Sequence, residues 1–83
     1  MLRVRLFRDG ERVFEGSARQ VVLPGEDGEL AVLDWHAPML CALADGTVQI
    51  DERSMPVRGG IARVERNRVT VIAHSHSRWN SSG

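Results

Sequence analysis

Val21 to Gly46 reads VVLPGEDGELAVLDWHAPMLCALADG, two apolar strand-like runs joined by a glycine-bounded acidic turn. Leu23-Pro24-Gly25 ends the first run and Gly28 opens the second, because proline presets one turn dihedral and glycine tolerates positive φ. Leu30 to Leu33 is too short for a helix and is flanked by turn residues, so it reads as a buried strand. Pro38 disfavours helical geometry at Ala37, which makes Asp34 to Pro38 a connection. Met39 to Ala44 is then a short strand stopped by Asp45-Gly46.

Outward from this stretch the same period-two pattern repeats. Leu2, Val4 and Leu6 alternate with Arg3 and Arg5, and Phe7 breaks the alternation. Asp9-Gly10 is a strong hairpin signal, returning the chain along Arg12 to Gly16. Ala18 to Leu23 gains apolar residues at its end. Thr47 to Ile50 alternates cleanly, and Asp51 to Arg53 turns the chain. Pro56 puts the Ser54 to Arg58 segment at a sheet edge or strand end. Gly59-Gly60 marks a bulge or a close backbone approach. Ile61 to Val64 and Val69 to Ala73 form a last hairpin around Glu65 to Arg68. About nine short strands and no helix predict an all-β fold, a flattened β-sandwich or barrel. The domain is expected to span residues 1–74, with 75–83 a polar tail.

With 83 residues, the chain makes one domain, and folding hides only roughly 60–65% of the surface its unfolded form exposes. Hydrophobic residues at 42% and charged residues at 27% indicate a packed globular chain rather than a disordered one. The net charge is +0, yet its distribution is uneven. Between Gln20 and Glu52 lie seven acids and no basic residue, whereas all eleven basic residues, every one an arginine, lie outside. This acidic middle disfavours phosphate-bearing partners, so nucleic acid is not expected. A lone cysteine, Cys41, excludes an internal disulfide framework and suits a reducing compartment. No run is long enough to span a membrane and the N-terminus lacks a signal-peptide core, so a soluble protein is expected.

Candidate chemistry is sparse. His74 and His76 could face one way along an extended segment, but no cysteine or acid is near in sequence to complete a tetrahedral metal site. His36 and Cys41 could pair as base and nucleophile, but the thiol lies among Met39, Leu40, Ala42 and Leu43, a setting that raises its pKa. Glu26, Asp27 and Glu29 lack the spacing of a calcium loop. Gly25 and Gly28 are followed by no helix that could cradle phosphate. Phe7 and Phe14 are assigned to the core and Trp79 to the tail. Trp35 either folds back onto the sandwich or awaits a partner. No enzyme and no cofactor is expected.

In order, Val22-Leu23-Pro24-Gly25-Glu26, Gly28-Glu29-Leu30, His36-Ala37-Pro38-Met39-Leu40 and Ala42-Leu43 resemble the signature of the epsilon subunit of F-type ATP synthases. The resemblance extends to Phe14-Glu15-Gly16, Val57 to Ile61 and Val69 to Ala73, covering roughly residues 2–74. It implies a ten-stranded sandwich in the rotor that binds the gamma subunit and rests on the c-ring, without catalysis. It further implies c-ring contact by Glu26, Asp27 and Glu29, and gamma contact by Trp35, His36, Met39 and Cys41. A peripheral place on the cytoplasmic face of the inner membrane follows if the source is bacterial. Ala31 stands where the family commonly has glycine, and Asp34-Trp35 where it has Pro-Gly. The C-terminal helical hairpin of the family has no counterpart in these 83 residues; if the chain is complete an inhibitory arm is not expected, and otherwise the hairpin lies beyond this sequence. The alternative is a diverged, stand-alone β-sandwich that binds another protein through the Asp34-Trp35 loop.

Overall fold

The computed structural model describes residues 1–75 and is all-β. Seven strands follow one another: β1 (Leu2–Arg8), β2 (Glu11–Ala18), β3 (Val21–Gly25), β4 (Gly28–Val32), β5 (Met39–Ile50), β6 (Arg53–Glu65) and β7 (Arg68–Ala73). They form one hydrogen-bonded sheet in the order β2-β1-β7-β6-β5-β3-β4. Every pairing is antiparallel except β1 with β7, which run parallel from Arg3 beside Arg68 to Arg8 beside Ala73. Among the described residues no helix is long and apolar enough to cross a membrane.

Seven strands replace the expected nine because two pairs of short runs are each one long strand. Met39 to Ala44 continues through Asp45-Gly46 into Thr47 to Ile50, and Ser54 to Arg58 continues through Gly59-Gly60 into Ile61 to Val64. The alternation breaks there for a physical reason. Along β5 the inward set is Met39, Cys41 and Leu43, then Val48 and Ile50; along β6 it is Met55 and Val57, then Ala62 and Val64. Both strands change phase opposite one another, with Leu43 beside Gly60 and Asp45 beside Arg58 in unbroken register. A period-two pattern that slips a residue looks like a strand end in sequence, but here it is a kink shared by two paired strands.

The kinked ribbon lets a single sheet fold over one core. The C-terminal half of β6 pairs with β7, and the second half of β5 pairs with β3, so the ribbon carries the chain between the two layers. Residues from both layers, including Leu2, Val4 and Leu6 of β1 and Val21 and Leu23 of β3, form one buried cluster. Half of its sixteen members are valine, a β-branched residue suited to a pleated, buried surface. No described polar or charged residue is buried, so the core needs no internal pairing.

Several local readings are borne out. Asp9 and Gly10, at φ 54° and 83°, make the expected β1–β2 turn, as the primed hairpin types require. Pro56 lies in a part of β6 paired only with β5, and its carbonyl accepts from Arg8 Nη1 at 3.0 Å on the unpaired side. Its missing N–H therefore leaves no ladder bond unmade. Others are corrected. β2 runs on to Ala18 and the chain bends at Arg19-Gln20, because Asp51 accepts from both of those backbone N–H groups at 3.0 and 3.1 Å. β4 is an edge strand, not a buried one: Val32 alone is fully buried and Leu33 is exposed. Phe14 packs against the core, but Phe7 is half-buried on the outer face.

Gly60 decides whether the kink can form. A Cβ there would stand 2.3 Å from the carbonyl oxygen of Ile72, and φ is +137°. Gly60→Ala is expected to cost about 2 kcal/mol or more, through strain and backbone displacement. Gly10→Ala, also at positive φ but with nothing within 4 Å, should cost only about 1 kcal/mol. Urea midpoints of the two variants would check this, and equal losses would contradict the packing argument.

Candidate docking surface

The β3–β4 hairpin is built residue by residue. Val21 pairs with Val32, Leu23 with Leu30, and Gly25 with Gly28, leaving Glu26-Asp27 as a two-residue turn. Gly28 takes φ +124°, so the turn closes without forcing a side-chain-bearing residue into that region. The turn is anchored to the neighbouring strand β5, where Glu26 N–H donates to the Ala42 carbonyl at 2.9 Å. Pro24 is locked in place beside Gly46, whose hypothetical Cβ would lie 2.9 Å from the proline Cβ. A stiff base thus presents a small acidic tip.

Glu26, Asp27 and Glu29 are all exposed, and none has an ion-pair partner among the described residues. Beneath them is an open depression of about 300 Å³ that Leu30, Met39, Leu40 and Cys41 line together with the turn. Cys41 is partly buried there, with Sγ placed 3.2 Å from where a Cβ on Gly25 would be. Burial pushes its thiol pKa up, and the negative charges of Asp27 and Glu26 add to the effect. The thiol is therefore an apolar lining group, not an activated nucleophile.

Trp35 and His36 occupy the connection between β4 and β5. Trp35 is 72% exposed at φ 67°, and its N–H donates to Asn67 Oδ1 at 3.3 Å. His36 N–H donates to the Leu33 carbonyl at 3.2 Å, while its Nδ1 lies 2.7 Å from the Ala37 carbonyl. Asp34 pairs with the N-terminal amine of Met1 at 2.9 Å. The seven sequence-selected residues therefore divide unevenly. Met39 and Cys41 share the depression with Glu26, Asp27 and Glu29, whereas Trp35 and His36 stand on the connection tied to the β6–β7 turn.

Sequence reasoning missed Asn67, whose partner lies 32 positions away. The only local signal was an asparagine in a polar turn. The ring of His36 meets Ala37 and the sulfur of Cys41 faces Ala42, so no hydrogen bond joins them as base and nucleophile. Among the described residues no group of three or more metal-ligating side chains exists. His76, the second half of the histidine pair, and Trp79 lie outside the described residues.

A kinked β-sandwich presenting an exposed acidic hairpin over an apolar depression has the features of a docking domain. The family model for the ATP synthase delta/epsilon chain beta-sandwich domain matches residues 1–78, and the chain belongs to that family. It is 44% identical over 68 residues to the ATP synthase epsilon chain of Bordetella parapertussis, covering 76% of this chain and 49% of that one. To the chloroplastic epsilon chain of Porphyra purpurea it is 34% identical over 77 residues, covering 88% and 58%. The chain thus spans about half the length of the curated relatives it matches. In fold it is similar to a chain of the Euglena gracilis mitochondrial ATP synthase OSCP/F1/c-ring structure, with TM-score 0.78 and 20% identity over 87% of this chain and 49% of that one. A chain of the Tetrahymena thermophila central stalk and c-ring gives TM-score 0.69 and 14% identity, covering 99% and 73%.

The shielding of Cys41 is testable by alkylation with iodoacetamide near pH 8. The native thiol should react more slowly than free cysteine, because less of it is thiolate. Glu26→Gln with Asp27→Asn should speed the reaction, since two charges opposing the thiolate are removed. An unchanged rate would mean the turn does not reach the thiol electrostatically.

Proposed function

We propose that this chain serves as a non-catalytic subunit of the rotor of an F-type ATP synthase, joining the gamma subunit to the c-ring. In that role it helps couple proton or sodium flow to ATP synthesis, as a peripheral subunit on the cytoplasmic side of the inner membrane in a bacterium. The observation that carries the reading is the meeting of family membership with the exposed, unpaired acidic hairpin.

Glu26, Asp27 and Glu29 dock on the polar loops of the c-ring. Opposite charge there guides approach and orientation more than it adds affinity. Trp35, His36, Met39 and Cys41 contact gamma, with Trp35 as the anchor because a large exposed aromatic on a braced loop loses little entropy on burial. Met39 and Cys41 line the same depression as the hairpin, so the two contacts adjoin and the ring contact is confined to the tip. A second reading, a stand-alone module that binds another protein, draws on the same exposure of Trp35.

Titration against purified gamma separates these readings. Stoichiometric binding supports the rotor, and no binding at low or moderate salt moves the assignment to the module. Trp35→Ala should weaken gamma binding by about tenfold or more, the scale of an interface anchor. Glu29→Lys should weaken association with c-ring by about tenfold at low salt and less at high salt, while gamma affinity holds. Equal loss toward both partners would show that one surface serves both.

A further inference from the structure

We propose that the outer face formed by β1, β7 and the C-terminal half of β6 is a second docking surface, whose partner is a protein segment carrying carboxylates beside apolar side chains. The sheet register sets out the face in rows. Arg3 lies directly opposite Arg68, and the next row places Arg5, Thr70, Arg63 and Leu40 side by side across four strands. One step further along, Phe7, Ile72 and Ile61 form an apolar row, about 7 Å from the arginines at two residues of strand rise.

Two features of this face work against the isolated domain. Like charges directly opposed on neighbouring strands are destabilising, and Arg3 faces Arg68 with Arg5 beside them, although the register also sets Glu65 opposite Arg68 and Glu15 opposite Arg5. Glu15 pairs with Arg3 at 3.7 Å and Arg12 at 3.0 Å, and Glu65 pairs with Arg63 at 3.3 Å. Arg5 and Arg68 have no ion pair among the described residues, and both line a depression of about 240 Å³ with Arg3 and Glu15. Alongside, Ile61, Ile72 and Leu40 are 43%, 53% and 66% exposed. Apolar side chains in such numbers beside unpaired guanidinium groups are the composition of a protein interface.

The chemistry selects the occupant. Guanidinium forks match carboxylates in two-point geometry. A polyphosphate or an anionic membrane would meet Glu15 and Glu65 within the same face, and would leave the isoleucine row without a partner. A segment with carboxylates and apolar groups satisfies both rows together. Nothing in this inference depends on the rotor reading: Leu40 at the margin also lines the depression beneath the acidic hairpin, but Arg3, Arg5, Arg68, Ile61 and Ile72 lie outside it.

The test is a titration of the full chain with a fluorescently labelled peptide of repeating Glu-Glu-Leu, with pyrophosphate and phosphatidylglycerol vesicles as separate arms. Saturable peptide binding that weakens with salt is expected. Arg5→Ser combined with Arg68→Ser should weaken it by about tenfold, and Glu15→Gln should strengthen it by about threefold by freeing Arg3 and Arg12. Circular dichroism and melting temperature establish that both variants fold, and Glu15→Gln tests the surface even if the double variant does not. Absence of saturable binding at low salt, unchanged affinity in the variants, or binding of pyrophosphate or vesicles in preference to peptide would each overturn the proposal.

Discussion

The paired kink of β5 and β6 is the constraint on which the rest of this structure depends. Each strand changes the parity of its inward residues at the same level, so the ladder between them stays in register while the sheet turns over. Were either strand to kink alone, the register would slip and one half of its apolar set would face solvent. The backbone carbonyl of Ile72 occupies the space a side chain at Gly60 would need, and on β5 Pro24 crowds Gly46, which pairs with Val57.

Topology turns a charge pattern along the chain into one across the surface. In the sheet order, β5, β3 and β4 are contiguous at one edge and carry no arginine, whereas β2, β1, β7 and β6 each carry at least one. The parallel pairing of β1 with β7 joins the two basic ends of the chain, and gathers Arg3, Arg5 and Arg68 on one outer face. Zero net charge therefore hides two oppositely charged surfaces, which can orient a partner over a distance of about a Debye length, roughly 8 Å at physiological salt. The five ion pairs named among the described residues are at exposed side chains, where each contributes little to stability.

Stability instead rests on the apolar core and on a few backbone clamps between distant segments. Asp51, at φ 52°, ties the β5–β6 turn to the β2–β3 bend, and Asp9 at the β1–β2 turn accepts from the Ser75 N–H at 3.1 Å after β7. Each clamp closes one end of the sandwich, which limits fraying where the layers meet. Glu26, Asp27, Glu29 and Trp35 are exposed and can be varied without touching the core, whereas Met39 and Cys41 pack against it.

Period-two alternation, the Asp9-Gly10 turn and the glycine-bounded acidic hairpin were legible directly, because each depends on residues within a few positions of one another. The ordered segments from Val22 to Leu43 carried the family as well. Strand number was not legible: a phase slip at a kink and a true strand end have the same local pattern, and pairing across the ribbon distinguishes them. The burial of Leu33 and Phe7 was misjudged because hydrophobicity does not reveal whether a strand lies at an edge or which face is covered. The sequence by itself determined the all-β class, the hairpins and the separation of acidic from basic segments, all properties of near neighbours. Only the tertiary structure decided the seven-strand order, the company Cys41 keeps with the acidic turn, the Trp35–Asn67 contact and the arginine face, since each joins residues that the chain itself holds far apart.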